Sequence, residues 1–424
     1  MSRWAVAEHQ PPDTKQNRMT PGFSDFTARL RRFISRSAGR RSAEAGRAEE
    51  FAGLALELFA LQMAHNVPYR RFGEARCATP LTVTDWRQIP ALPTSAFKEL
   101  EISCLPLTER TVVFHSSGTT AQRPSRHFHN AESLAVYEAS LLAGFRATVL
   151  ADGSPLCPTG SPLVCLTPPA DQAPHSSLVH MFETVRRAFG AADSVFVGRV
   201  APDGAWELDL TLVTRCLEEA TEEKRPVLLL GTAFSLVHLL DHLEATGRWF
   251  ALPAGSRVME TGGYKGRSRS LPKPALHALL AKRLGVPPAE IRCEYGMSEL
   301  SSQAYDRAPG EVGPGTGEAR DWPRSPGGPR LFHFPPWARA QVISPETGRE
   351  AGVGDTGLLR VFDLANVFSV LAIQTEDLAI RRADGFELLG RPVLAEPRGC
   401  SLMAAEEPPP PAPVRLRAPR FAVA

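Results

Sequence analysis

The sequence lacks the spacings that create cysteine-based sites. Its cysteines number 7 in 424 residues, an odd count, and no two of them form a C-x-x-C pair. We therefore expect neither a disulfide framework nor a zinc site, and we expect a reducing compartment. The chain also contains no G-x-S-x-G motif, no Walker A motif and no zinc-protease histidine spacing. These absences argue against a serine hydrolase, an ordinary P-loop ATPase and a zinc protease.

Long apolar runs and a strong charge imbalance are also missing. No uncharged apolar stretch reaches membrane-spanning length, and His9, Asp13 and Lys15 interrupt the region where a secretory signal would need an apolar core. We therefore expect a cytoplasmic protein with no membrane span. The formal net charge of +2 provides no general attraction for nucleic acid, whereas the 43% hydrophobic content is enough for a large core.

Strand and helix signals alternate along the middle of the chain. Residues 227–230 are an apolar run typical of a buried strand, Thr232 is a suitable helix cap, and Gly247 is a suitable stop. Asn130 likewise precedes apolar residues at helical spacing, and residues 51–63 form an apolar helical face. This alternation predicts an α/β fold with a largely parallel sheet, whose binding crevice lies at the carboxyl ends of the strands.

The last third of the chain has a different pattern. Short apolar segments separated by glycine, proline and aspartate fill residues 330–391 and predict a small β-rich subdomain. Residues 406–424 are rich in proline and predict an extended, solvated segment.

A strand candidate at residues 111–114 leads into a polar loop. The loop consists of small and hydroxyl-bearing residues, Ser116, Ser117, Gly118, Thr119 and Thr120. Successive backbone N–H groups in such a loop form a concave anion site, and the hydroxyls add uncharged donors. Because similar clusters also form ordinary capped turns, the loop alone leaves phosphate binding and a simple turn both open. We place it at the end of a strand that is followed by the helix after Asn130.

Three further segments follow this loop in a fixed order. They are Thr261-Gly262-Gly263-Tyr264-Lys265, then Glu294-Tyr295-Gly296-Met297-Ser298-Glu299, then Thr375-Glu376-Asp377-Leu378 with Gly390-Arg391. Together with the loop they resemble the adenylate-forming superfamily, which activates carboxylic acids with ATP to acyl-AMP. The chain resembles more closely the acyl-protein synthetases of the bacterial bioluminescence fatty-acid reductase complex. This closer resemblance is carried by Trp86-Arg87-Gln88-Ile89-Pro90 with Ala96-Phe97-Lys98, by residues 262–267 and 294–300, and by Arg398-Gly399-Cys400-Ser401-Leu402. The resemblance extends over about residues 60–402.

The resemblance implies nucleotide-binding roles for individual residues. The amides and hydroxyls of loop 116–120 would hold the β- and γ-phosphates of ATP, and Gly262 and Gly263 would let adenine approach the backbone. Asp377 would accept hydrogen bonds from both ribose hydroxyls, and Arg391 would also contact the nucleotide.

The segment around Tyr295 is implied to complete the nucleotide site. Tyr295 would offer a ring for adenine stacking beside Gly296, Ser298 would direct its hydroxyl to a phosphate, and Glu299 would bind Mg²⁺ through a hard carboxylate oxygen. Core packing for Tyr295 and a helix-entry carboxylate for Glu299 are the structural alternatives.

Cations near these segments are further candidates for catalysis. Ala121 stands where the superfamily commonly has glycine, and Arg123 would replace a nearby lysine of the superfamily loop. Lys265 follows the glycine pair and would meet a phosphate or the substrate carboxylate, although a solvated loop cation is equally compatible. The histidines at 115, 127 and 129 are secondary candidates.

Cys400 is the implied acyl carrier. Too few residues follow Arg391 for the C-terminal lid domain that is typical of the superfamily, and we expect this lid to be absent. In the acyl-protein synthetases a cysteine at this position takes the acyl group from AMP as a thioester. A flanking arginine favours the thiolate that such chemistry needs, and an incidental exposed cysteine is the alternative.

The sequence therefore predicts an ATP-dependent and Mg²⁺-dependent acyl-protein synthetase for a fatty or other carboxylic acid. The acyl group would go to Cys400 for delivery to a partner such as a reductase or carrier protein. A carboxylate-CoA ligase and a catalytically reduced nucleotide-binding subunit remain open. The predicted boundaries are an N-terminal arm and helix at 1–50, an α/β adenylation core at 51–329, a β-rich subdomain with the acyl-carrying segment at 330–400, and a disordered proline-rich tail at 401–424.

Overall fold

The computed structural model describes residues 21–37, 44–116, 123–150, 160–262, 271–307 and 328–391. Its α-helices are α1 (Pro21–Ser37), α2 (Glu44–His65), α3 (Val67–Glu74), α4 (Ala96–Glu99), α5 (Ala131–Thr148), α6 (Ser177–Phe189), α7 (Leu210–Glu222), α8 (Ala233–Ala245) and α9 (Lys273–Leu284). Short 3-10 turns occur at Trp86–Gln88, Leu107–Glu109 and Pro288–Glu290.

The strands of the first half are β1 (Leu92–Pro93), β2 (Val112–His115), β3 (Arg126–His129), β4 (Leu163–Cys165), β5 (Val195–Phe196), β6 (Gly198–Val200), β7 (Trp206–Leu208), β8 (Leu228–Thr232) and β9 (Arg257–Thr261). Those of the second half are β10 (Ile291–Tyr295), β11 (Ala304–Arg307), β12 (Leu331–His333), β13 (Ala338–Ile343), β14 (Thr356–Asp363), β15 (Ala372–Arg381) and β16 (Phe386–Gly390).

One 12-stranded sheet organises the described part of the chain, in the order β13-β14-β15-β16-β12-β11-β10-β9-β8-β4-β5, with β1 beside β15. From β5 to β10 the neighbouring strands are parallel, and from β10 to β13 they are antiparallel. The α/β prediction is confirmed for the parallel half. The strands that sequence patterning placed in a β-rich subdomain do form, and they extend the same hydrogen-bonded path.

The parallel strands are covered by helices on both faces. Leu229 of β8 packs with α7, α8 and α9, whereas its neighbours Leu228 and Leu230 pack with α5 and α6. This alternation follows from the two-residue period of a strand, which sends successive side chains to opposite faces. An apolar run without polar alternation is therefore what a doubly covered parallel strand requires.

Local capping signals set the helix starts that lead away from the sheet. The Asn130 side chain accepts a hydrogen bond from the Ser133 N–H at 2.9 Å, and the Ser133 hydroxyl accepts one from the Asn130 N–H at 2.9 Å. Thr232 and Ser235 form the same reciprocal box at the start of α8, and Gly247 follows the helix with φ of 66°. The predicted starts and stop are confirmed. Such boxes satisfy N–H groups that have no partner within the helix.

The polar loop after residue 115 occupies a different setting from the predicted one. Strands β2 and β3 form an antiparallel hairpin in a sheet of their own, closed by the Ser116 N–H on the Ser125 carbonyl oxygen at 3.1 Å. The prediction that this loop ends a parallel strand and leads directly to the helix is therefore wrong. The reason is β3, whose sequence Arg126-His127-Phe128-His129 has too little apolar character to be recognised as a strand.

Helices α1, α2 and α3 cover the antiparallel half of the sheet, where their apolar residues join those of β14 and β15 in one cluster.

None of the helices in the described ranges is both long enough and apolar enough to cross a membrane. The cysteines within these ranges, at positions 77, 104, 165, 216 and 293, are all free.

Candidate functional site

The carboxyl ends of three parallel strands meet at one edge of the sheet. Thr232 of β8 is in register with Thr261 of β9, and Thr261 is in register with Glu294 of β10. The Thr261 hydroxyl donates to the Glu294 carboxylate. Beyond this edge, the place that a Cβ would take at Gly262 is open, with no described atom within 4 Å. The end of β9 therefore lies at the carboxyl edge of the parallel strands, where open α/β sheets bind ligands.

Glu294 is a buried carboxyl group behind this edge. Burial raises its pKa to about 7, and the nearby Glu260 carboxylate acts in the same direction, while the Thr261 hydrogen bond opposes them. A Cβ at Gly296 would overlap a Glu294 carboxylate oxygen. A side chain at position 296 would therefore require the Glu294 carboxyl group to move.

Tyr295, Asp377 and Arg391 form a connected chain of polar contacts. The Tyr295 hydroxyl donates to one Asp377 oxygen at 2.8 Å, and Arg391 Nε donates to the other at 2.9 Å. Burial and the Asp377 carboxylate raise the pKa of Tyr295 well above its usual value, so the hydroxyl stays protonated. The structure thus brings together three residues that the sequence placed in one nucleotide site.

The Tyr295 ring lies edge-on to Phe332, Phe334 and Phe386, with centroid distances of 6.3, 6.2 and 6.0 Å. The side chain is buried, so the core-packing interpretation of Tyr295 describes its ring well. The polar contact of Tyr295 with Asp377 is made by its hydroxyl group alone.

Ser298 and Glu299 follow on a buried loop beside this chain of contacts. The Ser298 hydroxyl donates to a Glu299 carboxylate oxygen at 3.0 Å, and the Asn366 amide donates to the Glu299 carbonyl oxygen at 3.0 Å. A carboxylate held in place in this way supplies the hard oxygen that Mg²⁺ prefers. Mg²⁺ at nucleotide sites is typically held by one or two carboxylates plus phosphates, so the donor set fits ATP with Mg²⁺.

Asp363 positions the Glu299 loop and was missed by sequence reasoning. Its buried carboxylate accepts hydrogen bonds from the Ser301 and Ser302 N–H groups at 2.9 and 2.8 Å, and from the Ser302 hydroxyl at 2.6 Å. It also accepts one from the Ala365 N–H at 3.0 Å. The only local signal was an aspartate directly after an apolar strand, which is common in turns.

The β2–β3 hairpin contacts the same loop through His127. Its Nδ1 lies 2.8 Å from the Ser298 carbonyl oxygen, and because that oxygen only accepts, Nδ1 carries the proton. Burial lowers the pKa of His127 to about 4. The ring lies 4.2 Å from that of His129, whose pKa burial also lowers. His127 therefore acts as a neutral structural link between the hairpin and the Glu299 loop.

The two ends of the polar loop are described residues. Ser116 closes the hairpin, its hydroxyl accepting from the Ser125 N–H at 2.8 Å. Arg123 is exposed, and its guanidinium lies 3.9 Å from a carboxylate oxygen of Glu99. The other predicted residues of the site lie outside the described ranges, namely Ser117, Gly118, Thr119, Thr120, Gly263, Lys265 and Cys400. Their roles stay predictions.

Comparison with solved structures finds similar folds among ligases. An open conformation of 2-hydroxyisobutyryl-CoA ligase in complex with 2-HIB-AMP and CoA matches with a TM-score of 0.56 and 14% identity, covering 81% of this chain and 70% of that chain. The chain shares the fold of this ligase. The same ligase in its thioesterification state matches with a TM-score of 0.57 and 14% identity, covering 82% of this chain and 68% of that chain. Its postadenylation state in complex with 2-HIB-AMP matches with a TM-score of 0.54 and 14% identity, covering 81% of this chain and 68% of that chain.

Comparison with protein-family models gives no match. Comparison with curated proteins gives no significant match. The likeness to the ligase structures therefore concerns the fold.

Proposed function

We propose that this protein is an ATP-dependent ligase that activates a carboxylic acid as acyl-AMP. The observation that carries the proposal is the contact chain Tyr295–Asp377–Arg391 beside the Ser298–Glu299 loop, at the edge where β9 and β10 end. This edge is where ligands bind in open α/β sheets, and its groups match the charge and hydrogen bonds of a nucleotide.

Each residue has a task that its chemistry supports. Asp377 retains lone pairs for the two ribose hydroxyls while Tyr295 and Arg391 fix its orientation. The Arg391 guanidinium adds positive charge near the phosphates, and Glu299 would hold Mg²⁺, which offsets phosphate charge when bound. The substrate carboxylate attacks the α-phosphorus, an acyl–O–P bond forms, and the bond to pyrophosphate breaks.

Acid-dependent ATP–pyrophosphate exchange tests this step. We expect exchange in the wild type and a loss of about 10- to 200-fold in kcat/KM for ATP in Asp377→Asn, because a charged hydrogen-bond partner is lost. Asp171→Asn changes an exposed carboxylate elsewhere and is the matched control. ATP binding without exchange for any acid would refute the ligase and favour the catalytically reduced nucleotide-binding subunit.

We infer that the acyl group then passes to a thiol. The resemblance to acyl-protein synthetases supports the Cys400 thiolate, which would attack the acyl carbon and expel AMP, ready for transfer to a reductase or carrier protein. The structural neighbours bound to CoA support a second candidate, in which CoA is the acceptor.

Intact-mass analysis distinguishes these acceptors. After incubation with ATP, Mg²⁺ and acid, we expect a hydroxylamine-labile acyl adduct on the wild type and on Cys77→Ser, an exposed free cysteine control. Cys400→Ser should carry no adduct yet retain pyrophosphate exchange. An adduct that persists in Cys400→Ser refutes the carrier role, and release of acyl-CoA without an adduct favours the CoA ligase.

A further inference from the structure

The turn between β14 and β15, residues 364–371, is buried along its whole length. On one side it contacts the loop that carries Glu299, and on the other it contacts helix α2. Connections between strands usually lie at the protein surface, because a buried backbone needs hydrogen-bond partners that water would otherwise supply. In this turn two amide side chains supply much of that bonding, Asn366 from within the turn and Gln62 from α2.

Asn366 connects the turn to Glu299. Its side-chain amide donates to the Glu299 carbonyl oxygen at 3.0 Å and to the Val370 carbonyl oxygen at 3.2 Å. A carbonyl oxygen only accepts hydrogen bonds, so both contacts require the NH2 group of the amide, and the orientation of the amide is fixed. Only 1% of Asn366 is exposed. Asn366 therefore holds the backbone of the residue whose carboxylate is the proposed Mg²⁺ ligand.

Gln62 holds the turn from the side of α2. Its amide donates to the carbonyl oxygens of Asn366 and Val367 at 2.8 and 3.1 Å. Its side-chain oxygen accepts a hydrogen bond from the Leu371 N–H at 2.8 Å. Gln62 is fully buried, and these contacts use both donors of its amide and reach the middle and the last residue of the turn. Because Asn366 is among the partners, Gln62 acts on Glu299 through one intervening residue.

Asp363 supports the same loop at a different point. Its carboxylate accepts hydrogen bonds from the N–H groups of Ser301 and Ser302, which follow Glu299 in the chain. Asn366 instead binds the carbonyl group of Glu299 itself. A displacement of the turn would therefore reach Glu299 through Asn366, while the Asp363 contacts hold the rest of the loop.

We propose that Asn366 and Gln62 are positioning residues of the Mg²⁺ site and that they set the affinity of Glu299 for the ion. The inference rests on the proposed function. Mg²⁺ demands near-ideal ligand geometry, so its binding is sensitive to small displacements of a carboxylate. Groups that orient a metal ligand contribute to metal affinity, and their loss typically weakens it by about 10- to 100-fold. Asn366 contacts Glu299 directly, so its loss should have a larger effect than the loss of Gln62.

Mn²⁺ binding tests the inference without catalysis. Mn²⁺ takes the same oxygen ligands as Mg²⁺, and its binding to the protein with α,β-methylene-ATP, which cannot release pyrophosphate, is measured by electron paramagnetic resonance. We expect Asn366→Ala to weaken Mn²⁺ binding by about 10- to 100-fold. Gln62→Met keeps the approximate side-chain length without the hydrogen bonds, and it should weaken binding by about 2- to 30-fold. Asn366→Ser, a milder change, takes the place of Asn366→Ala if that variant does not fold.

Tyr69→Phe is the matched control for a loss of stability. Tyr69 is fully buried, and its hydroxyl donates to the Pro90 carbonyl oxygen, outside the turn, at 2.9 Å. Its removal should lower the urea midpoint of unfolding while the Mn²⁺ affinity stays at the wild-type value. Pyrophosphate exchange at varied Mg²⁺ gives a second readout. Gln62→Met should raise KM for Mg²⁺, and its kcat should recover at high Mg²⁺.

A double-mutant cycle with Glu299→Gln separates positioning from general destabilisation. Once the ligand is removed, Asn366→Ala should cause no further loss of Mn²⁺ affinity. An equal further loss in that background, or wild-type affinity in the Asn366 and Gln62 variants, overturns the inference, and exchange in the wild type then still supports the ligase. Weaker Mn²⁺ binding in the variants, without exchange for any acid in the wild type, supports the positioning residues and refutes the ligase. A wild type that does not bind Mn²⁺ overturns the inference in either case, and if it also lacks exchange it refutes the ligase too.

Discussion

The Tyr295 hydroxyl donates to Asp377 across 82 residues of sequence, at 2.8 Å, and so connects the end of the parallel β10 to the antiparallel β15. The contact joins the two halves of the sheet at the proposed nucleotide site. It also restricts the Asp377 carboxylate, because Arg391 holds its second oxygen at 2.9 Å. Asp377 is therefore oriented by the protein before any ribose is bound.

Tyr295→Phe should weaken ATP binding with little effect on the chemical step. The phenyl ring keeps its contacts with the surrounding phenylalanines, while Asp377 loses one of its two orienting partners. A lost hydrogen bond to a charged group is worth about 1.5–3 kcal/mol, so KM for ATP should rise by about tenfold or more. Pyrophosphate exchange at varied ATP gives KM and kcat separately. An unchanged KM would contradict the orienting role of the hydroxyl.

Glu294→Gln should stabilise the protein at neutral and alkaline pH. The pKa of Glu294 is raised from 4.5 to about 7, so the folded state binds more protons than the unfolded state between these values. The contribution is favourable below pH 4.5 and is lost as pH rises through 7, a change of about 3 kcal/mol. Glutamine still accepts from Thr261 and carries no charge.

Urea unfolding at pH 5 and pH 8 measures this effect. The stability difference between Glu294→Gln and wild type should increase from pH 5 to pH 8, whereas Glu346→Gln, an exposed control, should show no such trend. Equal differences at both pH values would show that Glu294 is ionised in the folded protein without cost.

His127→Gln should make the protein less sensitive to acid. Burial lowers the pKa of His127 from 6.5 to about 4, so the unfolded state binds the extra proton in this range. Its contribution to stability is complete above pH 6.5 and is lost as pH falls toward 4, by about 3 kcal/mol. The glutamine amide can still donate to the Ser298 carbonyl oxygen.

Unfolding free energies from pH 4.5 to pH 7 provide the measurement. The wild type should lose more stability on acidification than His127→Gln, while the control His242→Gln should follow the wild type. Identical slopes for all three proteins would rule out a neutral, buried His127. Between pH 4.5 and 6.5 a rise in pH lowers the stability contributed by Glu294 and raises that contributed by His127. In the wild type these two slopes of unfolding free energy against pH partly cancel, so each variant should show more clearly the slope of the residue that it retains.

The sequence was most informative where structure depends on neighbouring residues. Asn130 and Thr232 were predicted as caps because a cap and its N–H partner are only three residues apart. The run at 227–230 predicted a buried strand because both of its faces are covered. The hairpin strand Arg126–His129 was missed because its stability comes from pairing with β2 and from the buried contacts of His127, neither of which is visible in local composition.

The candidate site was only partly predictable for the same reason. Motif order placed Tyr295, Asp377 and Arg391 together, and their contacts agree with that prediction. Gln62 was not recognised, although its amide donates to the carbonyl oxygens of Asn366 and Val367 at 2.8 and 3.1 Å and so links α2 to the chain that supports the Glu299 loop. Such residues act through partners 304 or more positions away, and a single sequence carries no signal of that pairing.

Asp363 provides the strongest stability prediction, because four donors converge on its buried carboxylate. Asp363→Ala leaves the Ser301 and Ser302 N–H groups buried without a partner, which should lower the free energy of unfolding by about 3 kcal/mol or more. Asp363→Asn retains one acceptor oxygen and should lose less. Urea midpoints measured for both variants test this order. If Asp363→Ala unfolds at the wild-type midpoint, Asp363 does not hold the Glu299 loop in place.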